Sequence, residues 1–174
     1  MAPDAKALAV INDVARKFVE YYRRHSDFFP REARDIDYEE RIKRTYPIHP
    51  ELFDRLYEDW SSLERFQRTR GVLRLMSTVI HALWEGNDMS ALIMPGSIPL
   101  SIATVNVELT QYLPDMWKAV IDADVDGPHS EPAKIDSEKP LFGQRSLTKR
   151  LARTVFFGAA PTIGGAHKGL ETQR

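Results

Sequence analysis

The residues best suited to chemistry in this chain are Arg68, Arg70 and Arg74, which stand at the start of a strongly periodic apolar segment. An arginine side chain is always charged, and its planar guanidinium group binds phosphate oxygens through paired hydrogen bonds. The start of a helix adds unpaired N–H groups and a positive dipole end, and Gly71 would let an anion come close. If a helix begins near Thr69, Arg70 is predicted to reach a phosphate held by another domain, with the other two arginines supporting its charge.

The same arginines have a plainer interpretation as a solvated basic helix face. Acidic neighbours such as Glu64 and Asp59 could pair with them. Exposed charge pairs on helices are common and individually weak. The spacing of the arginines does not choose between the two interpretations, and both stay open at this point.

Helices are the elements predicted to position these residues. Apolar side chains recur at helical spacing, and Pro50 suits the first position of a helix, where its missing N–H costs nothing. The predicted helices cover 5–25, 38–44, 50–60, 70–85, 102–112, 115–121 and 146–157. The segments 92–94 and 98–100 flank Pro95-Gly96 and are predicted to form a small hairpin or two extended pieces. The predicted fold class is therefore mainly α, a helical bundle.

Two apolar helix faces follow from this periodicity. The face of helix 70–85 is expected to contain Val72, Met76, Val79 and Leu83, flanked by Leu73, Ile80 and Trp84. Leu147, Leu151 and Val155, with Phe156 beside them, are expected to form the apolar face of the last helix.

A change in composition suggests how the chain is divided. The segment 122–140 is rich in Asp, Pro, Ser and Lys, which is typical of a linker or a long surface loop. It would separate a helical domain at 1–121 from a C-terminal helix and further chain at 141–174.

Composition restricts the possible functions. The chain is 43% hydrophobic and 28% charged with a formal net charge of −1, so it offers no global attraction to nucleic acid or to an anionic membrane. There is no apolar run of membrane-spanning length and no signal-peptide pattern, and a cytoplasmic protein is predicted. Without cysteine, disulfides and thiolate chemistry are excluded.

Other patterns that could bind a ligand are incomplete. The segment 122–127 begins like a calcium loop, but Ala133 stands where the bidentate glutamate is required. The glycines near the C-terminus (Gly164, Gly165 and Gly169) are in the wrong order for a phosphate loop, so a turn is expected. The histidines form no ligand cluster, and His49, just before Pro50, is expected to cap or pack. We therefore predict no metal site and no catalytic residue.

Several blocks of the sequence resemble a family of large bacterial and archaeal AAA+ ATPases, the domain of unknown function family 499. The blocks are 46–52, Trp60, 66–75, 92–96, 108–110, 112–114, Trp117, 126–128 and 152–156. The block 66–75, which opens with Phe-Gln-Arg-Thr-Arg-Gly, is the most specific of them.

The resemblance implies a C-terminal part of such an ATPase, with the helical lid that follows the nucleotide-binding core. In these lids an arginine near a helix start, called sensor 2, contacts the γ-phosphate of ATP. The block is also similar to the Ala-Arg-Arg-Ala-Leu pattern of origin-recognition ATPases, which places Arg70 on the sensor arginine and makes Arg68 the second choice. The segment after Arg153 would then begin a winged-helix-like domain, left unfinished at Arg174.

The chain departs from that family in lacking the Walker A loop and the Walker B strand. It is therefore expected not to hydrolyse ATP by itself, and to be a fragment or a split subunit that joins an AAA+ nucleotide-binding core. ATP is the expected cofactor only together with that core, and homo-oligomer formation is an open expectation for the full assembly.

Two alternatives from other functional classes stay open. A stand-alone α-helical protein-interaction module without nucleotide chemistry is suggested by the initial methionine and the missing phosphate loop. Direct nucleic-acid binding is suggested by a basic cluster on the last helix, formed by Arg145, Lys149, Arg150 and Arg153.

Overall fold

The computed structural model describes residues 4–63 and 66–162, and over these ranges the chain is a mainly helical bundle without a β-strand. The α-helices are α1 (Ala5–Arg24), α2 (Ile36–Thr45), α3 (Pro50–Glu58), α4 (Arg68–Glu85), α5 (Ala103–Thr110), α6 (Met116–Val120), α7 (Glu131–Glu138), α8 (Pro140–Gly143) and α9 (Leu147–Ala159). Short 3-10 helices lie at Arg31–Arg34, Trp60–Ser62, Pro95–Ser97 and Ala160–Thr162, and a π-helix lies at Ile121–Val125. The predicted fold class is confirmed.

Local sequence signals explain where several helices begin. The Asp4 carboxylate accepts a hydrogen bond from the Ala7 N–H at 2.7 Å and so caps α1. Pro50 is the first residue of α3, as predicted, and His49 caps that helix through its ring nitrogen. Helix α4 begins at Arg68, two residues before the predicted start, with Gln67 as a cap residue whose side chain makes no capping hydrogen bond.

The buried side chains form two clusters. The larger one is built from α3 to α6 and α9 around Trp60, whose indole N–H donates to the Phe157 carbonyl at 3.0 Å. The smaller one joins α1 and α2 around Tyr22 and Tyr38. The larger cluster lies beneath α4 and thereby fixes which face of that helix remains exposed.

The segment 92–100 forms extended pieces on either side of the 3-10 turn at Pro95–Ser97, and not a hairpin. Ile93 pairs instead with Ile48 in an isolated parallel bridge, in which the His49 N–H donates to the Ile93 carbonyl at 2.9 Å. Gly96 lies directly against α9, because a Cβ there would be 2.7 Å from the Arg150 carbonyl oxygen. Of the two predicted arrangements, the extended pieces are therefore the observed one.

Much of the segment 122–140 is helical, since residues 122–125 and 131–138 lie in helices, so the long surface loop that its composition suggested is not observed there. The division into domains that was drawn from this segment stays a prediction. It contains the end of the π-helix and all of α7, and Val125 and Asp126 are buried. The Ser130 hydroxyl caps α7 by accepting from the Ala133 N–H at 3.4 Å. The Asp and Ser residues that suggested a loop serve as a buried charge and a helix cap.

Both predicted apolar faces are partly wrong in register. In α4 the buried line passes through Val72, Leu75, Met76, Val79 and Ala82. Leu73, Ile80 and Trp84 are 66%, 41% and 76% exposed, since they lie about a third of a turn away from that line. On α9, Phe156 and Phe157 are buried, and the residues expected to face the core (Leu147, Leu151 and Val155) are exposed.

Candidate anion site at the start of α4

Arg70 lies on the surface at the third position of α4. It borders an open cavity of about 450 Å³, which is lined by Gln67, Arg70, Gly71, Arg74, Gln111 and Tyr112. The first hydrogen bond of the helix runs from the Gly71 N–H to the Gln67 carbonyl at 2.9 Å, so the three preceding N–H groups have no partner within the helix. No ion pair joins Arg70 to any described residue. The positive end of the helix and a guanidinium group without an ion pair to a described residue therefore meet at one cavity.

Arg74 lines the same cavity but is already paired. Its Nε lies 2.9 Å from Oε2 of Glu108, a carboxylate that is buried while Arg74 itself is mostly exposed. The Tyr112 hydroxyl donates to the other oxygen of Glu108 at 3.0 Å. Burial, followed by the hydrogen bond to Glu108, raises the pKa of Tyr112, so this hydroxyl remains a donor. Glu108 thus offsets the charge of Arg74 and leaves Arg70 as the less compensated arginine.

Gly71 is explained by packing. A Cβ at this position would be 3.2 Å from the Phe66 ring, which stands edge-on to Tyr112 with ring centres 4.8 Å apart. The Gly71 N–H is occupied by the bond to Gln67. The N–H groups left to an anion are therefore the earlier ones of the helix, and the expected role of Gly71 in letting an anion come close stays a prediction.

Two predicted features lie partly outside the described residues. Arg68 begins α4, but its side chain is not among those described, and its predicted role stays a prediction. The glycine-rich stretch near the C-terminus (Gly164, Gly165 and Gly169) also lies beyond the described ranges.

Three of the four residues in the basic cluster of the last helix are paired with carboxylates. Arg153 and Lys149 lie 2.6 and 2.9 Å from Oδ1 of Asp126, which has no exposed surface. Arg150 lies 3.6 Å from Asp88. Arg145 has no ion pair with a described residue. The positive charges that a nucleic-acid interface at this helix would require are therefore largely offset by these carboxylates.

Potential metal ligands do not converge within the described part of the chain. Across 4–63 and 66–162, no group of three or more histidine, aspartate or glutamate residues is arranged to hold an ion. Asp122 and Asp124 lie exposed on the π-helix, whereas Asp126 is bound to Arg153 and Lys149. In the same ranges, no helix combines the length and apolar character needed to cross a membrane.

Comparison with known proteins assigns the chain to a family. Residues 8–168 match the family model described as DUF499 second domain. The chain belongs to the DUF499 family. The predicted membership of DUF499, drawn from blocks such as 46–52 and 66–75, is thereby confirmed, whereas the AAA+ ATPase context stays a prediction. No curated protein and no solved structure has significant similarity to it.

The DUF499 domain has a second cavity, of about 330 Å³, beside the smaller core cluster. Its lining residues are Phe18, Tyr21, Tyr22, Phe28, Phe29, Pro30, Ala33, Tyr38, His49, Glu51 and Met94. Sequence analysis missed this cavity and considered His49 alone, as a capping or packing residue. The available signal was the density of aromatic residues over 18–29, which exceeds what one buried helix face requires.

His49 performs both of its predicted structural roles at this cavity. Its Nδ1 accepts the Glu51 N–H at 3.2 Å, which leaves the proton on Nε2 to be donated to the Tyr22 hydroxyl oxygen, 2.9 Å away. Burial, and then the charge of Arg41, lowers the pKa of His49 to about 4. The imidazole is therefore neutral at physiological pH.

Proposed function

We propose that this DUF499 second domain is a nucleotide-sensing helical lid region of an AAA+ ATPase and is not catalytic by itself. Arg70 would contact the γ-phosphate of ATP bound to a Walker-motif core, located elsewhere in the same protein or in another chain. The observation that carries the proposal is the exposed Arg70 side chain, which borders an open cavity at the start of α4. Its charge has no counterpart among the described carboxylates.

The outward face of α4 supports the proposal. Leu73, Ile80 and Trp84 follow Arg70 by three, ten and fourteen positions, which puts all of them within about a quarter turn of it on the helix. Exposed apolar side chains of this size, grouped on one face, are typical of surfaces that another protein part covers. A nucleotide-binding core packed along this face would cover the apolar residues and bring its phosphates towards Arg70.

The mechanism follows from the charge at the helix start. In the closed lid, Arg70 would make charge-assisted hydrogen bonds to the γ-phosphate, and the free N–H groups of α4 would add to the attraction. Loss of the γ-phosphate removes the partner of the guanidinium group, so the closed arrangement loses stability and the lid opens as a rigid body. The Arg74–Glu108 pair would hold the rim of the cavity in place throughout.

The test is ATP turnover by a protein that contains both this domain and its core. We expect Arg70→Ala to lower turnover by at least about tenfold, because one arginine at a transferring phosphate contributes a large electrostatic stabilisation. Arg24→Ala, at the exposed end of α1, is the matched control and should leave turnover unchanged. Unchanged turnover for Arg70→Ala would refute the proposed role. Titration of the isolated chain with ATP should show no measurable binding.

A second candidate is a protein-interaction module without nucleotide chemistry. The observation that favours it is an apolar groove of about 480 Å³ between α6 and α9, whose walls include Trp117, Val120, Leu151 and Val155. The coding sequence around this segment discriminates between the candidates, since an in-frame upstream Walker A motif supports the lid. If the domain is an interaction module, Leu151→Glu should abolish its complex with the partner protein, whereas Arg70→Ala should leave that complex unchanged.

A further inference from the structure

Aromatic rings enclose the cavity beside the smaller core cluster from several directions. Tyr22 lies next to Phe29 with ring centres 4.5 Å apart, and Phe18 and Tyr38 meet Tyr22 at steep angles of 63° and 75°. Tyr21 meets Phe29 in the same way at 70°. Rings inclined to one another present both faces and edges to a shared space. The negative face of an aromatic ring attracts cations, and several rings around one space form a cage for an alkylated ammonium group.

Glu51 supplies the formal charge of this cavity. It is partly buried at the start of α3, and the Tyr38 hydroxyl donates to its Oε1 at 3.3 Å, which is long for a bond to a carboxylate. It forms no ion pair with a described residue, and the nearby Arg41 is paired with Asp54. A partly buried carboxylate without a cation is costly, so this one favours a positively charged occupant.

No lining residue of the cavity compensates that charge. His49 is neutral, as its bond pattern requires, and burial raises the pKa of both Tyr22 and Tyr38 well above the usual range for tyrosine. Their hydroxyl groups therefore carry no charge at neutral pH. The cavity combines a polar end, formed by Glu51 and these hydroxyls, with aromatic walls, and its net charge is negative.

An adjoining cavity extends the negative region outwards. It has a volume of about 320 Å³ and shares Tyr38 and Glu51 with the aromatic cavity. It adds the carboxylates of Glu32 and Glu58, which form no ion pair within the described ranges. Its lining also includes two arginines, Arg41 and Arg55, whose charges are already paired with Asp54 and Asp59. An acidic approach of this kind raises the local concentration of cations at the entrance.

From these observations we propose that the aromatic cavity is a binding site for an alkylated ammonium group, with Glu51 as the counter-ion and the surrounding tyrosine and phenylalanine rings as the cage. Two sources present this chemistry, namely a free organic cation such as choline and the side chain of a methylated lysine in a peptide. The site is remote in the sequence from Arg70 and does not depend on the nucleotide-sensing role.

The first test compares choline with its uncharged analogue 3,3-dimethylbutan-1-ol, using NMR titration of the full chain. Choline should shift the resonances of the cavity residues in a saturable manner, and the neutral analogue should bind at least about tenfold more weakly. Equal affinity for the two compounds would indicate an apolar cavity without selectivity for cations and would overturn the proposal. Absence of any saturable choline shift would overturn it as well.

Two substitutions test the named groups. Glu51→Gln keeps the size of the side chain and removes its charge, and it should weaken choline binding about tenfold. Phe28→Ala removes a ring of the cage and should also weaken choline binding. Because Phe28 is 75% exposed, this substitution should have little effect on the stability of the fold. Glu138→Gln, at an exposed site on α7, makes the same change in net charge and should have no effect. Undiminished binding by Glu51→Gln would contradict the assignment of the counter-ion.

The source of the cation is decided with peptides. The site is assigned to a protein side chain if a peptide bearing trimethyl-lysine binds at least tenfold more tightly than choline. The same peptide with an unmodified lysine should then show no such tight binding. Equal affinity for choline and for the modified peptide assigns it to a free cation. Failure of both ligands to bind overturns the site altogether, and leaves the proposal for Arg70 unaffected.

Discussion

Replacement of Asp126 is expected to be among the most damaging single changes in this domain. Its carboxylate is fully buried and has three partners, which are Arg153 at 2.6 Å, Lys149 at 2.9 Å and the Ser101 N–H at 2.8 Å. The side chains of Arg153 and Lys149 are only 13% and 19% exposed. Asp126→Ala would leave two largely buried cations and one N–H group without their acceptor.

The size of the effect follows from these contacts. Removal of one partner from a buried ion pair costs about 3–5 kcal/mol, because an uncompensated charge remains in the interior. Lys149→Met should cost less, about 1–2 kcal/mol, since Asp126 keeps Arg153 and the methionine fills the space of the lysine stem. Asp122→Asn, an exposed change one turn earlier, should stay within about 0.5 kcal/mol.

The assay is urea unfolding of the three variants and the parent chain, followed by circular dichroism. For a chain of this size, the loss expected for Asp126→Ala corresponds to a fall of about 6–20 °C in the thermal midpoint. A loss below about 1 kcal/mol, or a loss equal to that of Asp122→Asn, would refute the view that this carboxylate joins α9 to the π-helix. The rank order of the stability losses of the three variants is as informative as their absolute values.

Two further predictions concern the backbone and the pH dependence. Gly127→Ala should lower the free energy of unfolding by more than about 2 kcal/mol, because its Cβ would be 2.0 Å from the Asp122 carbonyl oxygen. At Gly71 the nearest atoms to an added Cβ belong to the Phe66 ring at 3.2 Å, so Gly71→Ala should cost clearly less in the same urea unfolding assay; equal costs would contradict this reasoning. The folded chain keeps His49 neutral down to a pKa of about 4, whereas the unfolded chain takes up the proton near 6.5, so stability should fall by roughly 3 kcal/mol as the pH drops through this interval. In urea unfolding at a series of pH values, His49→Asn should remove this part of the dependence of the unfolding free energy on pH. An unchanged dependence on pH would assign the effect to other titratable groups.

Local signals in the sequence were sufficient for much of the helix pattern. The periodicity of 5–25 predicted α1, and Pro50 marked the first residue of α3 because proline fits only the first turn of a helix. The position of His49 just before that helix predicted its capping role. These features depend on residues within a few positions of one another, which is why they could be predicted without tertiary information.

Long-range contacts explain what the sequence did not reveal. Lys149 and Arg153 formed a basic cluster in the sequence, and only the fold brings the buried Asp126 to them. The pairing of Arg74 with Glu108 crosses from α4 to α5 in the same way. A charged residue looks solvent-exposed in a sequence until its partner from a distant segment is known.

The exposed face of α4 shows the same limit for apolar residues. The spacing of apolar residues in α4 is compatible with a wide buried face. How much of that face is covered depends on which segments pack against the helix. Val79 lies against the larger core cluster and is fully buried, whereas Trp84 has no described segment packed over it and is 76% exposed.

The sequence by itself determined that the described part of this DUF499 domain is helical and that Arg70 stands near the start of a helix, because hydrophobic spacing and turn residues act over short distances. The tertiary structure decided which arginines are compensated, which apolar residues remain exposed, and that aromatic residues of α1 and α2 meet Glu51 around a cavity. Those outcomes depend on the packing of segments far apart in the chain, where burial and charge compensation are set by three-dimensional neighbours.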